Sequence, residues 1–119
     1  MKRYPLLLAI SVSISTAAAI ASAPVEHVEI EYLLNQIGSS GCYFIRNGDV
    51  HDSEAAAAHL AMKYRRARRH VADAEQFIER IATASSWSGE PYLVACEGKA
   101  QVTTAAWLSG ALDKHRQDG

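Results

Sequence analysis

Cys42 and Cys96, the two cysteines of the chain, constrain its fold more than any other pair of residues. Each stands at the end of a strand-like run. Cys42 opens Cys42-Tyr43-Phe44-Ile45, and Cys96 closes Tyr92-Leu93-Val94-Ala95-Cys96. Both runs carry the aromatic or β-branched residues that suit a pleated surface. If they pair antiparallel, the start of the first faces the end of the second, and Tyr43 to Ile45 lie along Ala95 to Leu93. Directly opposed residues have Cα atoms roughly 4.5 to 5.5 Å apart, within the reach of a disulfide. A bridge closing so long a loop contributes roughly 4 kcal/mol on the chain-entropy estimate. The net stability of a small domain is only about 5 to 10 kcal/mol, so the bridge decides whether this one folds. Beside the structural bridge stand a redox role and free or intermolecularly paired thiols. The redox role lacks the Cys-x-x-Cys turn at a helix start that lowers a thiol's pKa.

A bridge persists in an oxidising compartment, and the first 23 residues read as the route to one. Met1-Lys2-Arg3-Tyr4-Pro5 is a short basic start, Leu6 to Ile14 is apolar but broken by Ser11 and Ser13, and small residues fill 15–23. That is the pattern of a secretory signal peptide. A membrane anchor needs roughly 20 uninterrupted apolar residues. Cleavage after Ala21 is expected in preference to Ala23, because Pro24 would follow the second bond directly and its ring disturbs an extended substrate. No cysteine lies near the junction, so the expected product is no lipoprotein: an exported protein without a membrane span, with residues 22–119 as a single domain.

The 49% hydrophobic content of the 119 residues is inflated by that leader. Removing residues 1–21 takes Lys2 and Arg3 with it, which leaves 10 basic against 13 acidic side chains and a net charge of −3. Bulk nucleic-acid binding is disfavoured by that balance.

Along residues 22–119 the periodicity predicts four helices. Pro24 suits a first helical turn, and Val25, Val28, Ile30, Leu33, Leu34 and Ile37 follow at three- and four-residue spacing until Gly38. The Asn47-Gly48 pair after the first strand tolerates positive φ and marks a turn. Asp52 or Ser53 caps a second helix over about 53–70, with Ala56, Leu60, Tyr64, Ala67 and Val71 as its apolar stripe. Ala74, Phe77, Ile78, Ile81 and Ala82 give a third that ends near Ser85. Thr103 or Thr104 caps a fourth through Trp107, Leu108, Ala111 and Leu112, before a polar tail from Asp113. The expected fold is α+β, in the order α-β-α-α-β-α, with a short two-stranded antiparallel ribbon joined by one disulfide. Trp87 and Trp107 are expected in the core or at its rim.

Five histidines raise the question of a metal. His51 and His59 are eight residues apart, about 12 Å along a helix, and His59 has Lys63 rather than His four residues on, so the helical His-x-x-x-His pattern of zinc sites is absent. No metal and no cofactor are expected. A hydrolase is the main rival to a binding protein. It would need Ser85, Ser86 or Ser88, with His51 or His59 and with Asp49, Asp52 or Glu54, but Ser88-Gly89 lacks the Gly-x-Ser-x-Gly elbow. No catalytic residue is assigned. The strongest polar pattern is cationic. His59, Lys63, Arg66 and His70 are spaced 4, 3 and 4, which lines them along one helix face, and Arg65, Arg68 and Arg69 add charge nearby. The helix dipole alone favours cations there. Beyond that, the pattern suggests an anionic envelope component as partner.

One string of residues carries a resemblance. Cys42-Tyr43-Phe44-Ile45-Arg46-Asn47-Gly48, then His59-Leu60 with Lys63-Tyr64, Phe77-Ile78, Ser85-Ser86, Ser88-Gly89, Pro91-Tyr92, and Cys96 with Gly98 resemble the pattern of a family of small exported bacterial proteins classed as a domain of unknown function. It covers roughly residues 25–112. The resemblance implies a Gram-negative periplasmic address and a paired Cys42 and Cys96, and no activity. The arginines from Arg65 to Arg69 stand outside the shared string, which favours His59 and Lys63 over them. Arg46, His51, His59 and Lys63 are therefore the candidate binding surface of a non-enzymatic binding or envelope-accessory module.

Overall fold

Pro24, on extended backbone (φ −54°, ψ 144°), offers its carbonyl to the N–H groups of His27 and Val28 and so starts helix α1, Val25–Ser39. The structure is a computed structural model that describes residues 2–5, 8–14 and 24–119. The expected cleavage points after Ala21 and Ala23 lie outside the described residues. Residues 2–5 and 8–14 form no helix or strand and are exposed. Among the described residues no helix is long and apolar enough to cross a membrane. Helix α1 buries Ile30, Leu33, Leu34 and Ile37 as its spacing predicts, but Val25 and Val28 face outward and Glu29 is buried instead.

Strand β1, Tyr43–Arg46, turns back on strand β2, Asp49–His51, through Asn47 (φ 51°) and Gly48 (φ 79°). Positive φ at both central residues makes a two-residue hairpin loop whose twist matches that of the strands. Strand β3, Leu93–Ala95, lies on the other side of β1, and the two-residue β4, Val102–Thr103, lies beyond it, giving the antiparallel order β2-β1-β3-β4. The sheet thus has two strands more than the expected ribbon. The ribbon itself has the expected register, with Tyr43 opposite Ala95, Phe44 opposite Val94 and Ile45 opposite Leu93. One step beyond, Cys42 and Cys96 are disulfide-bonded, with Cα atoms 4.5 Å apart across 54 residues of sequence.

Helix α2, Ser53–Ala67, is capped by Asp52, whose side chain accepts from the Ala55 N–H at 2.7 Å, and a 3-10 turn over Arg68–His70 ends it. Its small residues let it lie close to α1: a methyl on Gly38 would touch the Ala57 Cβ at 3.4 Å. Helix α3, Ala74–Arg80, is shorter than expected. The chain leaves it at Ile81 because the Thr83 carbonyl accepts from Tyr92 N–H and Ala84 bridges Pro91, which draws 83–84 into extended pairing. Helix α4, Thr104–Asp118, is capped by Thr103, and the polar segment from Asp113 remains helical. The helices share one core with the inner face of the sheet, where Phe44 and Val94 are buried. Trp107 packs edge-on to Phe44 with centroids 6.0 Å apart, at the rim as expected. Trp87 is 89% exposed on its loop, against the expectation of packing.

Candidate functional site

The hairpin decides which side chains meet. Phe44 and Arg46 are two residues apart on β1 and share a face, because side chains alternate along a strand. His51 pairs directly with Phe44 across the hairpin and joins that face. On α2, Ala55, Ala56, His59 and Leu60 come to the same side at helical spacing. Thr104, the first residue of α4, is tied to the start of β3 by its N–H, which donates to the Tyr92 carbonyl at 2.8 Å. Together with Ile45 these residues line a cleft of about 370 Å³, solvent at its mouth included.

The charge in this cleft is of one sign. Arg46, His51 and His59 line it, and among the described residues no carboxylate does. Arg46 Nη1 lies 3.0 Å from His59 Nδ1 and 2.8 Å from Nε2. A guanidinium only donates, so the imidazole must offer it a lone pair and is neutral in this arrangement. The His59 pKa is accordingly below its ordinary 6.5, chiefly through burial and then through the positive charges of Arg46, Lys63 and His51. The edge of the His59 ring meets Tyr92 at 6.4 Å between centroids.

Two side-chain polar atoms are buried without a hydrogen-bond partner among the described residues, His51 Nε2 and Thr104 Oγ1, and both residues line this cleft. Thr104 is 0% exposed. An orphaned buried polar group costs about 1–3 kcal/mol, and two in one small cavity invite a hydrogen-bonding occupant. Sequence reasoning missed Thr104 and Tyr92. The signal was there in part: of the adjacent Thr103 and Thr104, only Thr103 is used as a cap, so the second hydroxyl had no local task.

The structure divides the predicted cationic stripe. His59 reaches the cleft. Lys63 does not: its ammonium donates to the carbonyls of Ile81 at 2.9 Å and Ala84 at 3.3 Å and to the Tyr92 hydroxyl at 3.0 Å, which uses its three donors. Lys63 is a brace that closes the frayed end of α3 against the back of Tyr92. Arg66 and His70 stand in solvent with Arg65, Arg68 and Arg69. Conversely, His51 and His59 line the same cleft although helix arithmetic does not apply to them, because His51 ends β2 and the helix begins only at Ser53. Among the described residues, no three of His, Cys, Asp and Glu are grouped to hold a metal ion.

The serines of the hydrolase reading are placed elsewhere. Ser85 Oγ accepts from Asn47 Nδ2 at 3.1 Å and from the Trp87 N–H at 3.3 Å, and Ser88 Oγ donates to Asn47 Oδ1. These hydroxyls fasten the Trp87 loop to the hairpin turn. Among the described residues no serine hydroxyl is hydrogen-bonded to a histidine or a carboxylate.

Residues 24–116 match a family of unknown function (DUF5329). The chain belongs to this family. The matched span contains the whole string from Cys42 to Gly98 on which the resemblance rested, and both the hairpin and the cleft. The chain is also similar to the uncharacterized protein YfeK of Salmonella typhimurium, at 40% identity over 68 residues. That alignment covers 56% of this chain and 57% of the relative, so the chain spans a little over half the relative's length. No solved structure matches.

Proposed function

We propose that this member of the family is an exported periplasmic binding module, non-enzymatic, that holds an anionic envelope component in the cleft between the β1–β2 hairpin and α2. The observation that carries the proposal is the cleft's lining: three basic side chains, no acid, and two buried polar atoms awaiting a partner. Low local dielectric strengthens such attraction. The leader pattern, the disulfide and a relative from a Gram-negative bacterium support the periplasmic address. Intact mass of the protein from a periplasmic fraction tests that address: the chain should begin at Ser22, or else at Pro24, and a species retaining Met1 to Ala21 would sink it.

Calorimetric titration of peptidoglycan fragments and phosphate-rich lipopolysaccharide fragments tests the binding. Arg46→Ala and His51→Ala should weaken binding of at least one of them while the protein melts normally. Lys63→Ala should do the opposite, leaving the ligand's affinity in place but lowering stability by about 1–3 kcal/mol, because two carbonyls and a buried tyrosine hydroxyl lose their donor. Binding unaltered by Arg46→Ala would remove the cleft from consideration.

A further inference from the structure

Resting on the cleft as an anion site, its donor set distinguishes one class of anion from another. A phosphate presents oxygens in all directions and, once desolvated, needs a donor for each. Proteins commonly meet that need with helix N-termini. Here each helix start beside the cleft already has one N–H taken by its cap: the Asp52 carboxylate takes the Ala55 N–H of α2, and Thr103 takes the Ala106 N–H of α4. The cleft itself offers one guanidinium, two imidazoles of which one is held by Arg46, and one hydroxyl. Arg46 is the one permanently charged cation lining the cleft among the described residues, so the set matches a singly charged carboxylate better than the more highly charged phosphate.

Arg46 is also presented in the right way. Its hydrogen bonding to His59 engages Nη1 alone, which leaves the Nε–Nη2 edge without a partner among the described residues. A carboxylate matches that edge with two parallel hydrogen bonds. The molecule uses the same edge elsewhere: Arg116 grips the Glu29 carboxylate through Nε at 2.7 Å and Nη2 at 3.0 Å. The rest of the cleft wall is apolar, chiefly Phe44, Leu60 and Tyr92.

We infer that the cleft binds a small monocarboxylate with an apolar substituent, its carboxylate on the free edge of Arg46 and within reach of His51 Nε2 and the Thr104 hydroxyl, its apolar body against Phe44, Leu60 and Tyr92. Such a group is found both on a free short-chain acid and at the carboxyl terminus of a short wall peptide, and the two share this recognition.

The full chain, purified with its disulfide intact, is titrated with butyrate, benzoate, acetyl-alanyl-alanine, butyramide and inorganic phosphate. At least one of the carboxylates should bind, butyramide should not, and phosphate should be at least about tenfold weaker, the equivalent of one charge-assisted hydrogen bond. Butyrate or benzoate ahead of the dipeptide identifies a free acid, and the reverse identifies a peptide terminus. Arg46→Lys keeps the charge but not the fork and should lose about tenfold or more. Thr104→Val removes only the orphaned hydroxyl, so it should melt no lower than wild type and still bind more weakly. Phosphate binding as tightly as the carboxylates, or undiminished binding by both variants, overturns the inference and leaves the anion cleft standing. Binding of none of the five overturns both.

Discussion

Two arginines in this molecule live in opposite surroundings. Arg116, near the end of α4, is saturated with acid: it holds the buried Glu29 of α1 by two hydrogen bonds and the exposed Glu75 of α3 by a third. Both carboxyls are held below their ordinary pKa, first by the hydrogen bond from Arg116, and the guanidinium is held protonated more firmly in return. Arg46, in the cleft, has no carboxylate hydrogen-bonded to it among the described residues and shares one donor with a neutral histidine. The first arrangement joins three helices and is complete. The second keeps a charge half-buried with its better edge unused, which is what the proposed anion site requires.

What keeps the second arrangement in place is the bridge beside it. Cys42–Cys96 fixes β1 against β3, which carry Arg46 and the segment after Tyr92, whereas the Arg116 cluster joins side chains of α1, α3 and α4. Cys42→Ser or Cys96→Ser should each cost about 4 kcal/mol in urea unfolding, the chain-entropy value for a loop of this length. The double substitution should cost no more than either single one. Native-state thiol labelling of the wild type that proceeds readily would contradict the bridge.

The ribbon was legible because each cysteine sits next to a β-prone run, so pairing the cysteines and pairing the strands are the same geometric statement. The outer strands were not. Asp49-Val50-His51 and Val102-Thr103 are too short to show alternation, and they exist because β1 and β3 already offer hydrogen-bonding edges. Asn47-Gly48 was the one local sign of a hairpin, and following it would have placed His51 on the face of Phe44. The same mistake of scale affected the site. Arg46, His51 and His59 were identified by residue type, but helical spacing grouped His59 with Lys63, and spacing does not tell a cation that braces a carbonyl from one that faces a cavity. Glu29 was illegible for a related reason: a buried acid on an apolar face becomes tolerable only when Arg116, 87 residues away, is brought to it.

Removing each arginine in turn sharpens the contrast. Arg116→Ala should lower the melting temperature, because it leaves Glu29 buried with no cation to hydrogen-bond it, and Arg46→Ala should leave it within the small range of surface changes, about 0.5 kcal/mol. The pH dependence carries the same distinction. Glu29 has a folded pKa below its ordinary 4.5, so its contribution is present above that value and is lost as pH falls through the folded one. Scanning calorimetry from neutral pH down to about pH 3 should show the wild type losing more stability than Arg116→Ala. Parallel losses would mean that the ion pair adds nothing to the fold.

The smallest effect belongs to His59, and it tests whether its imidazole is held neutral beside Arg46. Its folded pKa is depressed below 6.5, chiefly by burial and then by Arg46, Lys63 and His51. The unfolded chain therefore binds a proton more readily than the folded one, and stability must fall as pH drops from about 6.5 towards the folded pKa, then level off. His59→Asn keeps a side chain able to accept from Arg46 but cannot titrate, so it should lack that slope. An anion seated in the cleft reverses the sign for the site, since it favours the imidazolium. Carboxylate binding should take up protons, and affinity should rise as pH falls through the same interval. Melting curves at closely spaced pH values, with and without saturating benzoate, read both signs from one variant and the wild type. A wild type whose stability is flat between pH 7 and the carboxylate range would show that His59 is not held neutral by its neighbours, and the difference between the two arginine environments would then rest on Glu29 alone.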